Sequence, residues 1–355
     1  MMSTADFTAR LGLSLPIVQA PMAGVQGSAL AVAVSKAGGL GSLPCATLSV
    51  EQVRSELAAI RSQTDKPFNV NFFCHTAPVP DPAREARWRA VLAPYYVECN
   101  IDAEALPDVP GRAPFDAAMT ELVEAVRPAV VSFHFGVPEA ALLARVKATG
   151  AQVWSSATTV EEAEYLERAG VDAVIAQGLE AGGHRGMFLT DDLSTQMSMC
   201  ALVPQVVRAV RVPVVAAGGI ADASGVRAAL ALGASAVQVG TAYLLCPEAT
   251  TSAVHRQTLR SLSARHTAVT NVFTGRPARA VVNRVVREHG PLNALAPAFP
   301  RAVQALAALR ARAEADGRDD FSPQWAGQNV SGCREIPAAD LTRALAAGRE
   351  PTGSL

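Results

Sequence analysis

Short apolar runs recur along this chain at a near-constant spacing, and that rhythm restricts the possible folds more than any other feature. The runs begin near residues 16, 40, 68, 129, 152, 173, 212 and 236, and five of the seven intervals lie between 21 and 28 residues. Such an interval holds one strand, one helix and two short loops, so successive strands run parallel. Pro16-Ile17-Val18-Gln19-Ala20, Phe68-Asn69-Val70-Asn71-Phe72-Phe73 and Ala173-Val174-Ile175-Ala176 are examples. Mostly continuous apolar character, rather than alternation, is what strands covered on both faces show. Helix signals fall between the runs. Ser49-Val50-Glu51-Gln52 and Thr159-Val160-Glu161-Glu162 read as capping boxes, Gly150 and Gly170 as helix stops, and Pro138 as a first helical residue. Eight such units predict an α/β chain folded as a (β/α)8 barrel, with an open doubly wound sheet as the rival.

Two irregular stretches shape the domain organisation. Residues 76–116, rich in proline and polar groups, read as an insertion or long loop. Residues 247–325 mix helix and loop with Arg-rich helices, enough for a lid. The expected division is a barrel of residues 1–246 and 326–355, carrying the 76–116 insertion, and a lid or substrate domain of residues 247–325. A last helix from Ala338 to Ala347 would close the barrel.

Composition excludes several classes of function. At 355 residues and 50% apolar, the chain can bury a large core without metal or disulfide staples. Its 31 Lys and Arg balance 32 Asp and Glu, which argues against an electrostatic nucleic-acid or membrane-surface binder. No apolar run approaches the ~18 residues of a membrane span. The first residues lack a basic and then apolar leader, so a soluble cytoplasmic protein is expected. Six scattered cysteines without a C-x-x-C pair predict reduced, mostly buried thiols and no metal site.

In a barrel the loops after the strands form the active face. Ala217-Gly218-Gly219-Ile220 ends the seventh run, and Gln238-Val239-Gly240-Thr241 ends the eighth. These are the recurrent phosphate-binding loops of the fold, where glycine lets backbone amides approach an anion, although tight turns use glycine too. Ala20-Pro21-Met22-Ala23-Gly24, after the first run, offers a rigid wall for a flat ring or a plain turn. Asn71 and Gln177 end the third and sixth runs, as amides for a heteroaromatic ring edge or for the protein itself. Gln177-Gly178-Leu179-Glu180-Ala181-Gly182-Gly183-His184-Arg185-Gly186 sets one histidine in a glycine frame on this face, a candidate general base. His134, in the fourth run, points into the barrel if Phe133 and Phe135 face the helices. There it is a core histidine or a substrate contact. His75, His255, His266 and His289 are expected at the surface. No Rossmann G-x-G-x-x-G, Walker, H-E-x-x-H or G-x-S-x-G sequence is present.

Taken together, these segments resemble the nitronate monooxygenases, in particular the class I, bacterial-type branch. The matching pieces run in order along most of the chain. They include Ala20 to Gly24, Asn69-Val70-Asn71-Phe72, Val131 to Gly136, Gln177 to Gly186, Ala216 to Ile220, Gln238 to Thr241, Phe273 to Arg279 and Trp325-Ala326-Gly327-Gln328. The resemblance implies a TIM barrel holding non-covalent FMN under a smaller lid. The cofactor contacts it implies are Asn71, Gln177, Gly182, Gly219, Gln238, Val239, Gly240 and Thr241, to which the ring wall and glycine turns read above add Met22, Ala23, Gly24, Gly183 and Gly218. It makes His184 the active-site histidine and places His134 near the substrate. The implied substrates are a nitronate (propionate 3-nitronate among them) or nitroalkane and O2, with a carbonyl compound and nitrite as products. One departure concerns the lid, where the family branch has tyrosines near the substrate and Phe299 here stands where a tyrosine is common. Two other functions fit the same residues: an FMN-dependent NAD(P)H:quinone or enoyl reductase, and a non-catalytic flavin- or phosphate-binding protein.

Overall fold

The computed structural model describes residues 2–103, 106 and 112–347. All eight apolar runs form strands: β1 Ile17–Gln19, β2 Gly41–Pro44, β3 Phe68–Phe73, β4 Val130–His134, β5 Gln152–Ala157, β6 Ala173–Gln177, β8 Val214–Ala217 and β9 Ala236–Val239. They pair in parallel in the order β1-β9-β8-β6-β5-β4-β3-β2. A parallel Val18–Leu40 bridge joins the two ends of that order, so the sheet closes into the (β/α)8 barrel and the open sheet is excluded.

Alternation along each strand divides its residues between two environments. Ile17, Val70, Val131, Val153, Val174, Val214 and Val237 pack outward against the helices. Val18, Val130, Trp154, Ile175, Val215 and Ala236 fill the barrel interior. The helix Thr4–Leu11 plugs the lower end through Phe7, whose ring lies 5.6 Å from that of Trp154. Both capping starts form, but only the first as a full box, since the Glu162 carboxylate accepts from the Thr158 and Phe188 amides rather than from that of Thr159. Ser49 forms a reciprocal box with Gln52, and the Thr159 hydroxyl accepts from the Glu162 amide.

Of the two readings of the 76–116 stretch, insertion or long loop, its described residues fit the insertion. It contains a helix, Pro82–Glu98, capped by Asp81 and carrying Pro94 inside. Trp88, Leu92, Tyr95 and Tyr96 on this helix bury against Val272, Phe273, Leu306, Leu309 and Phe321 in a second hydrophobic cluster. The Tyr96 hydroxyl donates to the Ala305 carbonyl at 2.6 Å, tying it to the helix Val303–Ala315. The glycine-histidine segment supplies β7, Gly183–His184. This strand pairs antiparallel with β11, Ala278–Val281, which in turn pairs with β10, Thr267–Thr270. A barrel loop is thereby stitched into a second, three-stranded sheet with residues 267–281. No described helix is long and apolar enough to cross a membrane.

Candidate active site

Inward parity delivers the site. Counting two residues at a time up each strand from the interior core brings Pro44, Asn71, Phe73, His134, Ser156, Gln177, Ala217 and Gln238 to the C-terminal mouth. All eight line one cavity there. Ala20-Pro21-Met22-Ala23 forms one wall, while Gly182, Gly183, His184, Gly218, Gly219, Gly240 and Thr241 border it. Gly24 and Val239 do not line it; Val239 faces the helices, its carbonyl accepting from the Ala20 amide at 2.8 Å.

Gly218 and Gly219 hold φ of 117° and 72°, a left-handed path that other residues rarely take. The turn is braced by the Gly178 amide donating to the Ala217 carbonyl, and by Asn329 Nδ2 donating to the Gly219 carbonyl at 3.1 Å. Gly182 is required by close packing. A Cβ there would sit 2.6 Å from the Ala326 carbonyl carbon and the Gly327 nitrogen. Gly327 in turn donates its amide to Thr241 Oγ1 at 2.9 Å. Residues 325–329 therefore strap across the mouth, adding Trp325, Gly327 and Asn329 to its lining.

His184 is fixed through its backbone. Its carbonyl accepts from Gln177 Nε2 at 2.9 Å and from His134 Nε2 at 3.2 Å. Gln177 Oε1 also accepts from the Gly186 amide at 2.8 Å, so the Gln177 amide is engaged by protein at both ends. His134 Nδ1 accepts the Ser156 hydroxyl at 3.0 Å, which makes its ring the neutral Nε2–H tautomer. Burial, opposed by the bond to the His184 carbonyl, holds its pKa at about 3. His134 thus lines the cavity with both nitrogens engaged. Phe133 does face the helices, whereas Phe135, at φ 69°, folds over the cavity side against His134 with ring centres 4.5 Å apart.

The His184 imidazole rests 5.2 Å from the Phe299 ring and 5.3 Å from that of Trp325. Its Nε2 lies 3.0 Å from Thr274 Oγ1, and that hydroxyl donates onward to the Arg276 carbonyl. The hydroxyl therefore accepts from Nε2–H, leaving Nδ1 as the basic atom. Burial, reinforced by the nearby charges of Arg112 and Arg276, holds the ring well below its usual pKa. The resting histidine is neutral.

Two of the histidines expected at the surface are buried instead. His75 packs against Phe299 at 4.8 Å and bonds the Arg112 carbonyl at 3.1 Å; burial brings its pKa to about 4. His255 is buried in the lid, its pKa likewise about 4 for the same reason. Sequence reasoning also passed over Phe73, Arg112, Ser156, Trp325 and Asn329 as site residues. Only inward strand parity, for Phe73 and Ser156, carried a local signal.

All six cysteines are free; Cys45, Cys99 and Cys246 are buried, Cys74 and Cys333 partly so, and Cys200 exposed.

A closed α/β barrel with a histidine-bearing cavity at the C-terminal mouth of its strands defines the class, a barrel enzyme. The chain belongs to the nitronate monooxygenase family, whose sequence model matches residues 6–348, and is an oxidoreductase acting on nitronates. It is 45% identical over 344 residues to a nitronate monooxygenase of Pseudomonas aeruginosa, covering 96% of this chain and 98% of that protein. A nitronate monooxygenase of Paraburkholderia phytofirmans is 42% identical, with 94% and 92% covered. Among solved structures, a nitroalkane oxidase from Streptomyces ansochromogenes superposes with a TM-score of 0.86 at 40% identity, covering 94% of this chain and 95% of that one.

Proposed function

We propose that this enzyme binds FMN in the cavity and oxidises alkyl nitronates, including propionate 3-nitronate, with O2 to a carbonyl compound and nitrite. The observation that carries the reading is the pairing of a neutral, backbone-clamped His184 with a cavity wall built for a flat, anionic group. Gln238 Oε1 is buried without a partner, as an acceptor awaiting a ring N–H would be. Gly218, Gly219, Gly240 and Thr241 border the cavity where a phosphate would sit, and no described lining residue is a carboxylate that would repel it. Asn71 and Gln238 would meet the ring edge and the Met22 wall its face. Gly182, Gly183 and Gln177 contribute enclosure. Bound FMN supplies the electron-accepting and oxygen-reacting chemistry that no side chain provides.

This chain's own residues do the rest. His184 Nδ1 takes the α-proton of a neutral nitroalkane, and Thr274 holds the tautomer that leaves Nδ1 free. Phe73, Phe135, Phe299 and Trp325 surround the imidazole and keep water from it. In this reading the barrel, residues 1–246 and 326–355, carries the cofactor, residues 247–325 cover the substrate, and the enzyme works in the cytoplasm.

The test is to heat-release the flavin and to measure nitrite from a panel of nitronates. Yellow protein releasing FMN, with nitrite formed, is the expected result. Released FAD, or colourless protein that FMN cannot reconstitute, overturns the cofactor assignment. Anaerobic bleaching by NAD(P)H without nitrite formation would make it a reductase.

A further inference from the structure

Arg112 is the one formal cation among the described residues lining the cavity, and no described lining residue is an acid. The buried arginines nearby are engaged. Arg185 donates to the Gly178 and Gln177 carbonyls and to Gln196, Arg279 to Leu179 and Thr267, and Arg276 to Met187. Among the described residues the Arg112 guanidinium has no such partner. It lies over the Phe299 ring at 5.8 Å, while its backbone carbonyl is tethered to the buried His75. Five donors in a rigid fork, at the edge of a cavity whose described lining holds no acid, suit an arriving anion.

Topology says which anion. β3, which leads into the Arg112 segment, stands opposite β8 in the ring, four strands away by either route. Arg112 therefore sits across the mouth from the Gly218-Gly219 turn, on the side of His184 and Phe299. His184, being neutral, supplies no positive charge of its own.

We propose that Arg112 is the counter-ion of the substrate's nitronate group, and so the residue that makes the enzyme favour the anion over its neutral nitroalkane acid. The planar guanidinium fork matches two oxygens on one nitrogen as it matches a carboxylate. This assignment rests on the nitronate reading above. A neutral nitroalkane carries no charge for Arg112 to meet on binding; the charge appears on its two oxygens only as His184 takes the α-proton.

The experiment uses holoenzyme with Arg112→Met and Arg112→Lys at matched flavin content. Sodium nitrate, planar and unreactive, is the binding probe, titrated by calorimetry. Ethyl nitronate and nitroethane are the substrates. Arg112→Met should weaken nitrate binding and raise KM for the nitronate, each by roughly 10–100-fold, the range for a lost hydrogen bond to a charged group. Nitronate kcat should stay within a few-fold, nitroethane kcat/KM should fall by up to the same factor because its deprotonation puts the nitronate charge on the same two oxygens, and Arg112→Lys should recover much of the binding. If Arg112→Met does not fold, Arg112→Gln against Arg112→Lys gives the same comparison. Nitrate affinity and nitronate KM within twofold of wild type, in a wild type that does release nitrite, overturn the assignment of Arg112 alone. Absence of nitrite from every nitronate in the wild type overturns the reading beneath it, and the proposal with it.

Discussion

Replacing His184 with Asn removes the one base the cavity offers while leaving its frame in place. The frame depends on backbone contacts: the His184 carbonyl held by Gln177 and His134, and β7 held in register by β11. No described lining residue can take over the proton. His134 Nδ1 is occupied by Ser156, His75 does not line the cavity, and no described lining residue is a carboxylate. With no substitute, nitroethane oxidation should lose the full range typical of general base catalysis, roughly 10²–10⁴-fold or about 3–5 kcal/mol of barrier. Pre-formed ethyl nitronate needs no deprotonation and should lose less than tenfold, an expectation set by the same division of roles. Oxygen uptake and nitrite release on both substrates, at equal flavin loading, provide the comparison. The pH profile adds a second readout. Because burial and the nearby arginines hold His184 well below its usual pKa, wild-type kcat/KM for nitroethane should stay level as pH falls through about 6.5. Equal losses on the two substrates, or an acid limb centred near 6.5, would refute the base assignment.

Gly182→Ala should push the 326–327 strap away from the mouth, since the new Cβ meets backbone at 2.6 Å. The expected cost is about 1–3 kcal/mol with flavin retained less tightly, and an unchanged melting temperature would contradict it. Stability should also fall on acidification. His75 and His255 are held near a pKa of about 4, below the unfolded value of about 6.5, so the unfolded chain binds more protons between those pH values. Their contribution is present above pH 6.5 and is lost as pH falls toward 4, on the order of 2 kcal/mol for each group by pH 5. Urea melts at pH 7 and pH 5 measure this, and His255→Leu should flatten the difference; a steeper slope in that variant would contradict the account.

The barrel was legible because each parallel strand buried on both faces leaves a continuous apolar run, and Ile17, Val70 or Val174 need no distant partner to declare themselves. Much of the site was legible for a related reason. Asn71, His134, Gln177 and Gln238 are polar residues at inward positions near strand ends. What stayed hidden depends on contacts between segments far apart in the chain. His75 looks like a surface histidine until Phe135 and Phe299 close over it. The helix Pro82–Glu98 carried a readable start in Asp81-Pro82, but the prolines around it and Pro94 within it masked the rest. β7, at two residues, is too short to have a period of its own.

That two-residue strand also fixes when the site comes into being. His184 pairs with Ala278, about 94 positions later in the chain, and closing a flexible loop of that size costs roughly 4 kcal/mol in the (3/2)RT ln n term alone. During synthesis every barrel strand has left the ribosome before the segment that positions the histidine exists. A nascent chain ending near residue 246 therefore holds the glycine turns, the Met22 wall and the Gln177 and His134 clamps, but lacks both the β11 partner of β7 and the Thr274 hydroxyl that sets the histidine's tautomer. Catalytic competence arrives as a separate, later event than barrel formation, timed by the arrival of β11.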